Sequence, residues 1–334
     1  MKLDRYSRVI TLAHEQPWAL LPTKLAAIAS LLELRAAGLT LSEQEIRARI
    51  GGDPPDPSEP QVSGDVAVLP LFGVIAQRMN LMQQMSGGTS TEQYTADFRR
   101  VRDDSAVKAI VLAIDSPGGG VYGLDELATE IRDSRGTKPI IAVASSLAAS
   151  GGYYIGSAAD RFVVTPSGDV GAIGVLGLHT ELMAAQEKAG IKTTIIRAGK
   201  YKGEGNPFEP LTDEARVAMQ ARVDDAYERF VTAVAAGRRV PVATVRSGYG
   251  EGRLVSAKDA LAAGMVDEIA TLDAVIERLR TRPTVRAVPR ARAAGDATPP
   301  LQTTTPQEPS PATGQELDAD RLWRSARSAD LLEM

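Results

Sequence analysis

A chain of 334 residues, 43% hydrophobic and 24% charged, carries enough apolar material for a sizeable core, and a net charge of −4 argues against a dedicated nucleic-acid binder with a broad basic face. The absence of cysteine removes disulfides, thiolate metal sites and a cysteine nucleophile together. With only two histidines, His14 and His179, a His-rich metal site is excluded, and a Ser-His-Asp triad would have to use one of them.

The opening stretch MKLDRYSRVITLAHEQPWALL has no apolar run long enough for a secretory signal. No window approaches the roughly 18–20 apolar residues of a membrane span, so a soluble cytoplasmic protein is expected. Residues 1–50 read as a helical segment. LPTKLAAIASLLELRAAG has apolar residues at helical spacing and ends at Gly38, and LSEQEIRARIG carries Ser42 and Glu45 in a capping-box pattern. The Pro-, Gly- and Asp-rich stretch GGDPPDPSEPQVSG, residues 51–64, reads as a linker.

Residues 65–280 alternate strand-like and helix-like segments. Strands are expected at 65–75 (DVAVLPLFGVI), 107–115 (VKAIVLAID), 139–144 (PIIAVA), 161–165 (RFVVT) and 192–198 (KTTIIRA). The continuous apolar run at 107–115 suits a strand buried on both faces. Helices are expected at 91–104, 123–135, 211–238 (opened by Thr212) and 256–264, the last followed by a short strand. This alternation argues for an α/β domain with a mostly parallel sheet flanked by helices. The Pro-, Thr-, Ala- and Arg-rich residues 281–315 are expected to be disordered. A short amphipathic helix is possible in ELDADRLWRSARSADLLEM, at the end of the tail 281–334.

Two glycine-rich stretches sit between a strand pattern and a helix pattern, at the sheet edge where α/β folds build their sites. In IDSPGGGVYG, Gly118, Gly119 and Gly120 can turn main-chain N–H groups toward an anion, either a phosphate or a developing oxyanion. It is neither a Walker loop nor a dinucleotide fingerprint, and taken alone such a segment is more often a plain tight turn than a site. In PIIAVASSLAASGGYYIGSAAD, Ser150 falls where the chain passes into a helix. It is either a nucleophile beside the Gly151 N–H or the cap of that helix. Ser145 and Ser146, earlier in the stretch, read as turn residues.

A serine nucleophile needs a base. Ala148 stands where the α/β-hydrolase elbow G-x-S-x-G has its first glycine. His179 lies in a probable helix and His14 in the N-terminal zone, and both read as surface or packing residues. Lysine is the other common partner, once burial favours the neutral amine. Lys200 and Lys202 lie in IIRAGKYKGEGNPFEPLTDEA, after a strand and before the long helix. Spacing alone promotes neither.

These segments, in this order, resemble the serine-lysine peptidases of the signal peptide peptidase A family, which share the Clp protease/crotonase-type fold. IDSPGGG looks like the oxyanion-side turn, SSLAASGGYYIGSAAD like the nucleophile segment, AGKYKGEGNPFEPLTDEA like the base loop and GEGRLVSAKDALAAGMVDEI like the closing helix and strand. The resemblance spans about residues 65–270. It implies a peptidase domain over 65–280, with Ser150 as nucleophile and Lys202 as base, and with the N–H of Gly151 and of Gly118 or Gly119 as oxyanion donors. RVITLAHEQPWALLPTKLAAI is similar to the leader of the phage and prophage head-assembly branch of the family.

The resemblance further implies protein or peptide substrates and no metal or cofactor. It implies a homo-oligomeric ring in which neighbouring subunits share or complete sites, and phage portal, scaffold or capsid proteins as partners. One position departs from the pattern: Ala172 stands in Gly171-Ala172-Ile173-Gly174-Val175, where many members have a serine whose hydroxyl positions the lysine. Ser167, Thr165 or a water would have to replace that hydroxyl. The departure and the Pro- and Ala-rich tail motivate one alternative, a non-catalytic head-assembly protein with a degenerate domain; a soluble signal-peptide-degrading peptidase is a separate one. A crotonase-like acyl-CoA enzyme would also use paired N–H groups, but would not call for a Ser-Lys pair.

Overall fold

The computed structural model describes residues 16–36, 60–78, 88–188 and 190–281. They fall in a unit spanning Met1–Pro283; a second unit, Thr284–Met334, lies outside the described residues. In chain order the first half forms β1 (Trp18–Leu20), α1 (Pro22–Ala36), β2 (Gln61–Ser63), β3 (Val66–Ala76), β4 (Gly88–Ser90), α2 (Thr91–Asp103), β5 (Ala109–Gly120) and α3 (Leu124–Asp133). Then come β6 (Ile140–Ala149), α4 (Gly151–Gly156), β7 (Arg161–Val164), β8 (Asp169–Gly171), α5 (Met183–Lys188) and α6 (Asp213–Arg238). α7 (Val242–Gly248), β9 (Leu254–Ser256), α8 (Ala257–Ala262), β10 (Glu268–Ile269) and α9 (Leu272–Thr281) close the described chain.

The sheet runs β10-β7-β6-β5-β3-β2, parallel throughout except for the antiparallel β3–β2 pair at its edge. The apolar run of β5 is explained by burial on both faces. Ile110, Leu112 and Ile114 join the core under α2, α3, α4 and the C-terminal half of α6. Ala109 and Val111 join a second cluster closed by Val275 and Ile276 of α9. Fully burying such an aliphatic side chain contributes about 1.5–3 kcal/mol, so neither face tolerates a polar substitution. Local signals set the helix starts: the hydroxyls of Ser90, Thr212 and Ser256 accept from the backbone N–H groups of Gln93, Ala215 and Asp259.

Several elements differ from the sequence-based expectation. Residues 192–198 form no strand; they lie outside the core without a sheet edge to pair with, and Ile196 is 96% exposed. Residues 61–63, read as part of a linker, pair with β3 as β2. Trp18–Leu20, in the zone read as helical, is a strand, because Pro17 and Pro22 bracket it and disfavour a helix running through. Ser145 and Ser146 belong to β6 instead of a turn. Between the pairs Ile114↔Ala144 and Ser116↔Ala148, β6 carries two residues more than β5, and this irregularity absorbs them. His179 precedes α5 and lies 3.4 Å from the Asn206 carbonyl through Nε2. His14, the helix expected from Ser42 and the tail 282–334 lie outside the described residues.

One ion pair ties the end of α6 to the sheet. Asp267 accepts from both terminal nitrogens of Arg238, at 2.8 and 2.9 Å, and from the Phe162 N–H at 2.6 Å. Burial alone would raise the Asp267 carboxyl, but these hydrogen bonds outweigh it and hold the group below its ordinary value. The carboxylate therefore stabilises the fold above the unfolded-state pKa, and that contribution is lost as pH falls through the lowered native one. Asp267→Asn is expected to lower stability at neutral pH by about 2 kcal/mol, since Arg238 is left buried without its partner. Urea unfolding measured from neutral to acid pH should show the gap to wild type closing as pH falls. An equal gap at every pH would contradict this account.

Candidate active site

Ser150 sits at the turn from β6 into α4, with φ 52° and ψ −114°, in a region that side-chain-bearing residues rarely adopt. It is 1% exposed. Its hydroxyl caps no helix N–H, which removes the capping explanation. Instead the hydroxyl donates to the Gly174 carbonyl at 3.4 Å, and the Ser150 N–H donates to the Gly171 carbonyl at 2.7 Å. Both acceptors come from the segment 171–174 that contains Ala172. Ala172 is itself buried at φ 51°, held by its N–H to the Arg253 carbonyl. Of the hydroxyls considered as substitutes at that position, Thr165 donates to the Ser145 carbonyl and Ser167 is exposed.

The glycine segment is the end of β5 and not a turn after it. A methyl group on Gly118, at φ 97°, would lie 2.1 Å from the Ala19 carbonyl oxygen, 2.9 Å from Gly151 N and 3.0 Å from Ser150 Cβ. One on Gly119 would lie 1.8 Å from the Ile75 carbonyl oxygen in β3. Both positions require glycine because other segments of the chain pass within van der Waals contact. The Gly118 N–H donates to Ser116 Oγ at 3.1 Å, and that hydroxyl donates in turn to the Gly73 carbonyl. Gly119 N and the Ala19 carbonyl oxygen lie 3.4 and 3.3 Å from the place a Cβ on Gly151 would take. Gly118, Gly119, Gly151 and Ser150 are thus brought together.

α4 is locked so that this turn cannot drift. Tyr153 donates to the Met265 carbonyl and Tyr154 to Asp125, and burial raises both phenols far above their ordinary value. Their rings pack on Phe162 and Phe230 at centroid separations of 5.3 and 4.8 Å. Just beyond α4, Arg135 donates to the carbonyls of Ser157, Ala158 and Ala159, and to Gly237 of α6.

Lys202 stands apart from this cluster. It lies on the exposed loop that precedes α6, and its N–H donates to the Gly199 carbonyl. Lys200 is engaged by the Tyr201 hydroxyl and Glu214. Within one chain the structure brings neither lysine to the Ser150 hydroxyl, whose partner is Gly174.

The sequence profile of peptidase family S49 matches residues 132–286, the stretch that holds Ser150, Ala172 and Lys202. Residues 132–286 are a peptidase family S49 domain. The chain is 34% identical over 238 residues to "Capsid assembly protease C" of Escherichia phage lambda, an alignment covering 70% of this chain and 54% of that protein. It is 30% identical over 288 residues to "Head-tail preconnector protein GP5" of Enterobacteria phage P21, covering 82% of this chain and 57% of that protein. The chain thus spans little more than half the length of these curated relatives. Among solved structures it is similar to a ClpP1 mutant of Listeria monocytogenes, at 16% identity and a TM-score of 0.39, covering 61% of this chain and 91% of that one. No helix among the described residues is long and apolar enough to cross a membrane.

Two parts of this candidate site were not read from sequence. Ser116 follows Asp115 in the glycine motif, and only its hydroxyl geometry gives it a role. The strand at Ala19 was signalled only by the flanking prolines. The strained turn yields a direct test. Replacing Ser150 by glycine removes the strain, which costs about 1–3 kcal/mol at such a site, against about 0.5–1 kcal/mol of added unfolded-state entropy. Ser150→Gly is expected to be about 1 kcal/mol more stable than Ser150→Ala in thermal unfolding. A less stable glycine variant would show the turn to be relaxed.

Proposed function

We propose that the chain is a serine endopeptidase with Ser150 as nucleophile and Lys202 as general base. The observation that carries this reading is the Ser150 turn: a buried serine in a strained conformation, with a hydroxyl that caps nothing, against a backbone cleared of side chains. A structural serine gains nothing from such strain, whereas a nucleophile gains a fixed, forward-placed hydroxyl.

Ser150 Oγ attacks the carbonyl carbon of a peptide bond while the Lys202 amine takes the hydroxyl proton. That proton passes to the departing amine as the C–N bond breaks and leaves an ester on Ser150. Water, deprotonated by the same lysine, then releases the acid and restores the serine. Ser116 holds the Gly118 N–H within its own strand, whereas the Gly119 N–H faces Ala19 across the β1–β5 pair; we assign the oxyanion to the N–H groups of Gly119 and Gly151 once Ala19 gives way to a substrate, with Gly118 supplying room.

The exposed position of Lys202 is accounted for if it serves Ser150 of a second copy of the chain. Ile191, Ile196, Tyr201 and Val217 are exposed on the same loop and on the start of α6. Their burial against that copy fits a closed homo-oligomeric ring. The names of the phage relatives extend the reading to capsid assembly; the substrates we propose are scaffold or portal-associated proteins, met in the host cytoplasm.

Mass-spectrometric detection of cleavage products tests both parts. Ser150→Ala and Lys202→Ala are each expected to lose about 10^4-fold or more in rate. In a ring with sites shared between neighbours, an equal mixture of the two inactive variants should recover about a quarter of wild-type activity, since that fraction of neighbours pairs an intact serine with an intact lysine. Unchanged processing by Ser150→Ala would end the peptidase reading. A mixture as inactive as its components would end the shared-site arrangement.

A further inference from the structure

The groove along the end of β5 is filled by the chain itself. β1 runs antiparallel to the glycine segment, with Trp18, Ala19 and Leu20 opposite Gly120, Gly119 and Gly118. The Val121 N–H donates to the Pro17 carbonyl at 3.3 Å and the Leu21 N–H to the Pro117 carbonyl at 3.0 Å. On its other edge Trp18 exchanges two hydrogen bonds with Leu176, both 2.8 Å. Residues 17–21 are therefore held as an extended strand between two segments of the site. Trp18 and Leu20 are buried with Leu25, Ile28 and Val74.

The seat of Ala19 gives this strand its meaning. The hydrogen-bonded pairs at 17 and 21 bracket the Ala19–Gly119 pair, which puts it in the hydrogen-bonded register too. A methyl on Gly118 would touch the Ala19 carbonyl oxygen at 2.1 Å and Ser150 Cβ at 3.0 Å, so those two atoms are no more than about 5 Å apart. A main-chain carbonyl thus lies beside the buried serine, facing Gly118 and Gly151. Beside Ala19 is a cavity of only about 20 Å³, bounded by Val121, Leu124, Tyr154 and Phe230 together with the charged Asp125 and Arg229, so the seat fits a small side chain.

We propose that residues 17–21 are the resident occupant of the peptide groove, seated by strand addition as a substrate would be, and that they keep Ser150 closed until displaced. The inference rests on the peptidase reading of Ser150 and adds its regulation. It follows that the groove favours an extended peptide with a large apolar residue, then a small one, then leucine or a similar residue. A substrate must also lift β1 before it meets the nucleophile.

A reversible lock tests this in the full chain. Trp18 and Gly120 are directly opposed in a non-hydrogen-bonded pair, for which the Cα atoms lie about 4.5 Å apart, within disulfide reach. The chain has no cysteine, so Trp18→Cys/Gly120→Cys gives a single possible bridge. Labelling of Ser150 by a fluorophosphonate and cleavage of a peptide are read together. The oxidised form is expected to react at least about tenfold more slowly than the reduced form, with reductant restoring the rate. A second variant, Trp18→Ala/Leu20→Ala, removes the anchors and is expected to label about tenfold faster than wild type, and a synthetic QPWALLP peptide should slow it. An oxidised form as fast as its reduced form would overturn the proposal. So would a double variant that keeps wild-type thermal stability but labels no faster. If wild type and every variant fail to label at Ser150 alike, the peptidase reading falls first, and this inference falls with it.

Discussion

Three stretches of backbone converge on Gly118 and Gly119, and no side chain fits between them. β3 presses on Gly119 through the Ile75 carbonyl, β1 on Gly118 through the Ala19 carbonyl, and the Ser150–Gly151 turn closes the third side. Steric exclusion at these two residues lets a parallel strand run on into the site instead of turning away. It sets Ser150 against the sheet edge and leaves the Gly119 and Gly151 N–H groups bordering the place that the Ala19 carbonyl holds. A single methyl at Gly118 would separate all three.

Around that point the molecule divides into a clamped part and an open part. The clamped part is α4, with two buried tyrosines bonded at opposite sides and Arg135 gathering the carbonyls just past its end. Such a platform can hold a serine in a strained conformation, because neighbouring packing sets its backbone more strongly than its own preference does. The open part runs from Gly190 to the first half of α6, where Lys202 and several apolar side chains face outward. In the proposed mechanism the nucleophile belongs to the rigid part and the base to the part free to meet another copy.

Much of this was legible in the sequence, and the gaps have physical causes. The strands at 66–76 and 161–164 and the apolar first half of 109–120 were visible because burial forces continuous apolar runs, whereas the glycine end of 109–120 read as a turn. Thr212 announced its helix through capping chemistry. Ser150 and the glycines near it could be singled out by residue type at the sheet edge, whereas the roles proposed for them and for the lysine loop came from the family resemblance. Residues 192–198 were misread because β-branched composition expresses a preference that only a free sheet edge can fulfil. β1, β2, β8 and β9, of three residues each, are too short to carry a period. Their existence depends on partners far away in sequence. Whether Ser150 capped α4 or stood free was likewise a question of one dihedral angle and one hydrogen bond, which no spacing encodes.

A covered serine and an outward-facing lysine amount to two separate conditions on one reaction. If β1 must leave and a second copy must arrive, an isolated chain is inactive twice over. The first condition is demanding, because a tethered strand competes at an effective concentration on the order of millimolar. Dilute free peptide displaces such a strand poorly. A substrate packed beside the enzyme within an assembling particle meets that concentration without needing exceptional affinity. The assembly that brings copies of the chain together to complete the site is then the same event that supplies peptide at the density needed to open it.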